Sequence, residues 1–169
     1  MLHLANGTLC AMSTRSENTV TIAQPLAKVQ QAYASREYWE FIVANLSPEP
    51  GEVHEFSGDT ATLYEVLPID LLPEAVRAMV SQSLKVKRVV TVDGTSYSYT
   101  ADVKGTPVDF SGEATLSGDD TATTLAYDNE VNVKIPFMGP AIEPKVADAL
   151  AELFQSEGDL TARWISENL

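Results

Sequence analysis

The sequence predicts an α+β fold: a curved antiparallel sheet of about seven strands wrapped around a long C-terminal helix, with two short helices after the first strand. Three observations predict it. Turn signals recur through the middle of the chain, at Ser57-Gly58-Asp59, Asp93-Gly94, Lys104-Gly105-Thr106 and Ser117-Gly118-Asp119-Asp120, a spacing of tight hairpins. Two short helical patterns stand in tandem before them. After them, Ile142, Val146, Leu150, Leu153, Phe154, Leu160 and Trp164 form one apolar stripe of a long helix.

Taken in order, Thr19–Ala23 alternates and is β-rich, which reads as the first strand. Pro25 suits the opening of a helix over 25–34, where Leu26, Val29 and Tyr33 recur at helical spacing. Ser35 is placed to cap a second helix carrying Tyr38, Trp39, Ile42, Val43 and Leu46. Strands are then expected near 51–57, 60–68, 84–92, 95–103, 108–117 and 121–135. Residues 70–82 interrupt the series, and Pro73 could open a short helix there. In the last element Pro140 or Pro144 fits a first turn, and Gly158 is the weak point where a bend is expected. Glu143, Asp148, Glu152, Asp159, Arg163 and Glu167 read as its solvated face.

The chain has 169 residues, enough for one domain with a sizeable core. Apolar residues make up 44% and charged residues 21%, within the globular range. With 24 acidic against 11 basic residues the net charge is −13. Phosphate backbones and anionic lipid surfaces need a basic face, so neither nucleic acid nor a membrane surface is an expected partner. A single cysteine, Cys10, excludes an intrachain disulfide and a cysteine-rich metal site. No run of 18 apolar residues predicts membrane insertion. Residues 1–16 read as a dispensable extension without the basic start and apolar run of a secretory leader. Residues 17–169 read as a single domain, and the cytoplasm is the expected compartment.

The order of elements carries a geometric consequence. One helix is about 10 Å across, whereas six or seven strands at about 4.8 Å spacing span roughly 30 Å. A flat sheet would leave apolar surface uncovered, so the sheet must curl around the helix, and a hollow between them is expected.

Three segments carry a resemblance to a known family: YASREYWEFIVANL at 33–46, PVDFSGEATLSG at 107–118, and VNVKIPFMGPAIE at 131–143 leading to Trp164. Over about 17–168 the chain resembles the START-like (SRPBCC) superfamily, which includes proteins of the birch-pollen-allergen type, polyketide cyclases and lipid-transfer domains. More narrowly it is similar to a bacterial subgroup of unknown function. The resemblance implies a helix-grip fold and a hydrophobic ligand. These are shape motifs, and the subgroup carries no catalytic residues to transfer.

Alternation along the strands names the residues that would face the hollow. They are Leu84, Val86, Arg88, Val90 and Val92, then Tyr97, Tyr99, Ala101 and Val103. Val108, Phe110, Gly112, Ala114 and Leu116 follow, and then Leu125, Tyr127, Asn129, Val131, Val133 and Ile135. From the last helix come Ile142, Val146, Leu150, Leu153 and Phe154. The ligand-binding candidates among them are Arg88, Val90, Tyr97, Tyr99, Phe110, Gly112, Tyr127, Val131, Val146, Leu150 and Phe154. Gly112 and Ala114 help a sheet bend or leave room beneath it.

Arg88 is the sharpest of these. An inward guanidinium must be paired or must meet an anion. It could anchor a carboxylate or phosphate head group with Tyr97 and Tyr99. It could equally pair with Glu65, or turn to solvent at a bulge. His54, flanked by Glu52 and Glu55, reads as a surface histidine, because a metal site needs more ligands and the other histidine, His3, lies in the extension. Such a histidine beside an acid could also serve as a general base. Asp102 and Glu113 fall on the outer face. Tyr38, Trp39 and Trp164 read as packing residues. No nucleophile elbow, phosphate loop or dinucleotide fingerprint is present, and no cofactor or metal is expected.

The first expectation for function is binding or carriage of a hydrophobic or amphipathic small molecule. The alternative is an enzyme of cyclase or hydrolase type on a hydrophobic substrate, with Arg88, His54, Glu65 and the tyrosines as candidates. It requires two of them to converge within hydrogen-bond reach. A second alternative is a protein-interaction module whose acidic surface meets a basic partner; no feature of the sequence selects such a partner.

Overall fold

In a computed structural model of the chain, residues 13–67, 74–77, 84–134 and 139–169 are described. Strand β1 is Ser13–Ile22, followed by helices α1, Leu26–Tyr33, and α2, Arg36–Asn45. Strands β2, Glu52–Phe56, and β3, Thr60–Leu67, precede a short helix α3, Glu74–Arg77. Then come β4, Leu84–Asp93; β5, Ser96–Val103; β6, Val108–Gly118; β7, Thr123–Val133; and helix α4, Gly139–Asn168. The expectations for Cys10, His3, Ile135, Pro73 and residues 70–72 and 78–82 fall outside the described residues, and α3 is the short helix expected within 70–82.

The strands form one seven-stranded sheet in the order β1-β7-β6-β5-β4-β3-β2, with every neighbouring pair antiparallel. Hairpins join β2 through β7, except where α3 intervenes. The turns at Gly94 and Gly105 work because both glycines take positive φ, 63° and 78°, a region other residues enter at a cost. At the β6–β7 turn the Asp119 carboxylate accepts hydrogen bonds from the Thr121 and Ala122 N–H groups, at 2.8 and 3.1 Å. Those bonds and the Thr121 hydroxyl hold its pKa below the ordinary carboxylate value.

One boundary and one cap differ from the sequence expectation. β1 begins at Ser13, and its residues 13–18 pair with β7 from Asn132 to Tyr127. Residues 13–16 are therefore part of the sheet, although their polar composition placed them in an extension; ladder pairing with β7 overrides that weak local signal. Ser35 does sit at the start of α2, but its side chain makes no capping hydrogen bond.

The burial pattern follows the expected parity. β5 alternates strictly between exposed and buried residues, and Val86, Arg88, Val90, Tyr97, Tyr99, Phe110, Tyr127 and Val131 are all buried on the concave face. The roof over that face has two parts. Helix α4 lies close along β1 and β7, while α2 packs on β2 and β3, and both α1 and α2 abut α4. The sheet is thus covered by more than the terminal helix. Tyr38 and Trp39 fill the junction, as packing residues: the Tyr38 ring meets Trp39 at 4.9 Å and Trp164 at 5.6 Å, both edge-on.

Helix α4 runs unbroken through Gly158. A β-carbon there would come 2.6 Å from Val20 Cγ1, so the glycine permits close approach to β1. Gly158→Ala is expected to lower stability by about 1–3 kcal/mol through overpacking, although alanine is the better helix former. Chemical unfolding would register this as a lower midpoint. An unchanged or raised midpoint would mean that α4 does not touch β1 there.

The helix faces also need correction. Glu143, expected on the solvated face, is 1% exposed. Its carboxylate accepts hydrogen bonds from Thr14 Oγ1 at 2.7 Å and from the Val133 N–H at 3.1 Å. Leu153 and Leu160 are only half-buried, and the inward positions between Phe154 and Trp164 belong to Glu157 and Thr161.

Candidate functional site

Opposite the middle of α4, β4 carries Arg88 between Leu63 of β3 and Ala101 of β5. Both neighbours leave room for a long side chain to stand up from the sheet. Glu65 lies two residues along β3 on the same face, a diagonal cross-strand neighbour. Arg88 Nη2 donates to Glu65 Oε2 at 3.0 Å and to Glu157 Oε2 of α4. The three side chains are only 3–4% exposed. Tyr97 Oη donates to Glu157 Oε1 at 3.4 Å. One turn on, Thr161 Oγ1 donates to the Glu157 carbonyl at 2.7 Å and lies 2.7 Å from Tyr38 Oη.

This cluster holds two carboxylates against one guanidinium in a place from which water is largely excluded. Burial alone would lower the pKa of Arg88, but Glu157 and Glu65 outweigh it and hold the guanidinium well above its ordinary value. Burial raises the pKa of Glu65; the Glu157 carboxylate adds to the rise, and Arg88 opposes it without cancelling it. Burial also raises the tyrosines Tyr33, Tyr97, Tyr99 and Tyr127, so they remain neutral donors.

A second polar chain crosses the concave face. Tyr99 Oη donates to Asn129 Oδ1, and Asn129 Nδ2 donates to Asn18 Oδ1, both at 2.7 Å. Gly112 makes room for it: a β-carbon there would lie 2.8 Å from Asn129 Oδ1 and 2.9 Å from the Tyr99 ring. Around these polar groups the space is taken by rings. Phe154 stacks on Tyr127 at 4.5 Å and meets Tyr99 edge-on at 5.3 Å, and Tyr99 meets Phe110 at 6.1 Å. α4 keeps close company with β1 and β7, and its ties to β4 and β5 run through the long side chains of Arg88, Tyr97, Tyr99, Phe154 and Glu157.

Two cavities are bounded by described residues. One, of about 290 Å³, lies beyond the end of β2 beside Gly51, Tyr64, Glu65, Lys85 and Lys104. The other, of about 230 Å³, reaches Tyr99, Gly112 and Asn129 past Arg15 and Glu113. No residue of α4 lines either one. Between the sheet and α4, the rings of Tyr97, Tyr99, Tyr127 and Phe154 pack against one another.

Of the candidates, Arg88 and Glu65 converge, with Tyr97 brought in through Glu157, and Tyr99, Phe110, Tyr127 and Phe154 form the adjoining ring cluster. Two carboxylates hold the Arg88 guanidinium, and one of them is Glu65, the partner offered as an alternative to an anionic ligand. His54 is apart from them: it is exposed on the edge strand β2, with its ring 5.0 Å from that of Tyr64. Asp102 and Glu113 are exposed, as expected. Glu157 is the residue that sequence reasoning missed. Its signal was available, because it falls three residues after Phe154 and four before Thr161 in the inward stripe, where a charge needs a partner. Among the described residues no group of three His, Cys, Asp or Glu is arranged to hold a metal ion, and no helix is long and apolar enough to cross a membrane.

Comparison with known proteins places this geometry. A family model described as "Protein of unknown function (DUF2505)" matches residues 17–165. No curated protein matches the chain. Among solved structures, the Zhui aromatase/cyclase from Streptomyces sp. R1128 is similar with a TM-score of 0.64 and 14% identity, covering 92% of this chain and 94% of that one. Ara h 8.0201 is similar with a TM-score of 0.62 and 15% identity, covering 92% and 99%. A START superfamily protein from Mycobacterium smegmatis is similar with a TM-score of 0.60 and 12% identity, again covering 92% and 99%. At these identities the likeness establishes the fold, which is START-like and of helix-grip type.

Proposed function

The chain belongs to the family described as "Protein of unknown function (DUF2505)", and on that premise we propose that it binds and carries a hydrophobic or amphipathic small molecule between the sheet and α4. The observation that carries this reading is the asymmetric seat of α4. The helix backbone is pressed onto β1 at Gly158, while over β4–β6 only side chains span the distance. Side chains can change rotamer, whereas a backbone seated on a sheet cannot move without breaking the fold. Val90, Tyr99, Phe110, Gly112, Val131, Val146, Leu150 and Phe154 would then line the space that opens. Apolar walls with a few convergent polar groups are the usual composition of small-molecule sites. The similar structures include aromatase/cyclases, which supports a fold able to enclose such a molecule.

A second reading, an enzyme of cyclase or hydrolase type, is favoured by one observation: Arg88 and Glu65 converge within hydrogen-bond reach in the interior. Against it, the guanidinium is engaged by both carboxylates, and fold likeness does not carry chemistry.

The test is native mass spectrometry of the freshly purified full chain, with solvent extraction of the same sample. The expected result is a retained apolar molecule of defined mass, released on unfolding. Repeated preparations that yield only the bare chain mass and an empty extract would refute the carrier reading.

A further inference from the structure

We infer that the carried molecule has an uncharged head group bearing a hydroxyl, seated against the Glu65–Arg88–Glu157 cluster, and that this cluster discriminates against anionic amphiphiles. The inference rests on the carrier reading above and adds the ligand class to it.

The first argument is a charge count. Two carboxylates face one guanidinium at 2–4% exposure, so a carboxylate or phosphate head would add a third negative charge. In a poorly screened interior that repulsion is far stronger than in water. The raised Glu65 carboxyl shows the same excess: burial and the nearby Glu157 already disfavour its charge.

The second argument comes from the donors. Arg88 Nε is buried and has no hydrogen-bond partner among the described residues. A buried donor without an acceptor is costly. The neighbouring phenols cannot serve as donors for an anion, because Tyr97 Oη donates to Glu157 and Tyr99 Oη to Asn129. An ammonium head would face the guanidinium and leave Nε–H unmet. A hydroxyl accepts from Nε–H and donates to a carboxylate, so it answers both needs at once.

The third argument concerns reach. The cluster borders the ring cage of Tyr97, Tyr127 and Phe154, so a head group at Arg88 leaves its apolar tail among aromatic faces.

The experiment measures binding of dodecan-1-ol, dodecanoate and dodecylammonium to the full chain at neutral pH. High salt is used so that attraction to the acidic surface is screened. The alcohol is expected to bind about tenfold more tightly than either charged probe, the scale of one hydrogen bond to a charged group. In Glu65→Gln, which removes one carboxylate from the count, the disadvantage of dodecanoate is expected to shrink to about twofold, because the repulsion it meets is reduced. If Glu65→Gln does not fold, Glu157→Gln gives the same readout from the other carboxylate. Dodecanoate binding as tightly as the alcohol, or an alcohol-to-dodecanoate ratio unmoved by the substitution, would overturn the inference while leaving the carrier reading intact. Failure of all three probes to bind would overturn both.

Discussion

Arg88→Met is expected to lower the unfolding free energy by about 3–5 kcal/mol, the usual penalty for stranding buried charge when one partner of an ion pair is removed. The substitution leaves Glu65 and Glu157 facing each other at 4% side-chain exposure, with no cation between them. For a chain of this length the change corresponds to a melting temperature lower by roughly 6–20 °C. The triple variant Glu65→Leu, Arg88→Met, Glu157→Leu is expected to return to within about 2 kcal/mol of the parent, or to exceed it, because a well-packed apolar replacement avoids the desolvation of three charges. Urea unfolding of the parent and the two variants would measure both effects. A loss below about 1 kcal/mol for Arg88→Met alone is what a solvated pair would give, and it would mean that the cluster is open to water.

Phe154→Ala is the other large effect, at about 3–5 kcal/mol. The ring lies parallel to Tyr127 with 5° between their planes and meets Tyr99 on edge. Those partners are anchored in β7 and β5, so collapse into the vacated volume is limited. The resulting cavity is expected to stay dry and to admit a small aromatic molecule. Titration of Phe154→Ala with benzene, followed through the ring proton resonances of Tyr99 and Tyr127, is expected to show saturable shifts that the parent lacks. A loss of less than about 1.5 kcal/mol with no benzene response would show that neighbouring groups refill the space.

The sheet was highly legible in the sequence, for a reason visible at particular residues. Tyr97, Tyr99, Ala101 and Val103 alternate with Ser96, Ser98, Thr100 and Asp102, and one buried face with one wet face makes that period unmistakable. The start of β1 was not legible, because Ser13, Thr14, Arg15 and Ser16 carry no apolar period; their place comes from pairing with β7. The inward position of Arg88 could be read from strand parity, and so could its possible pairing with Glu65. Its second partner, Glu157, falls in the inward stripe of α4, but its pairing with Arg88 depends on how α4 is rotated. That rotation brings Gly158 against Val20, far apart in the chain. Glu143 was misplaced for the same reason: its partners Thr14 and Val133 belong to the sheet edge beneath the helix, which no helical wheel contains. Element widths predict a hollow but do not count side chains, and the rings of Tyr97, Tyr99, Tyr127 and Phe154 pack together beneath α4.

The distance between α4 and strands β4–β6 is spanned by side chains that are expected to give way to a guest. A crystal structure of the full chain grown with dodecan-1-ol tests it most directly. Continuous density for the alcohol is expected between Val90, Phe110 and Leu150, with the Tyr99 and Phe154 rings turned apart and α4 still seated on β1 at Gly158. Unmoved rings with no guest between helix and sheet, at alcohol concentrations that saturate the protein in solution, would contradict it.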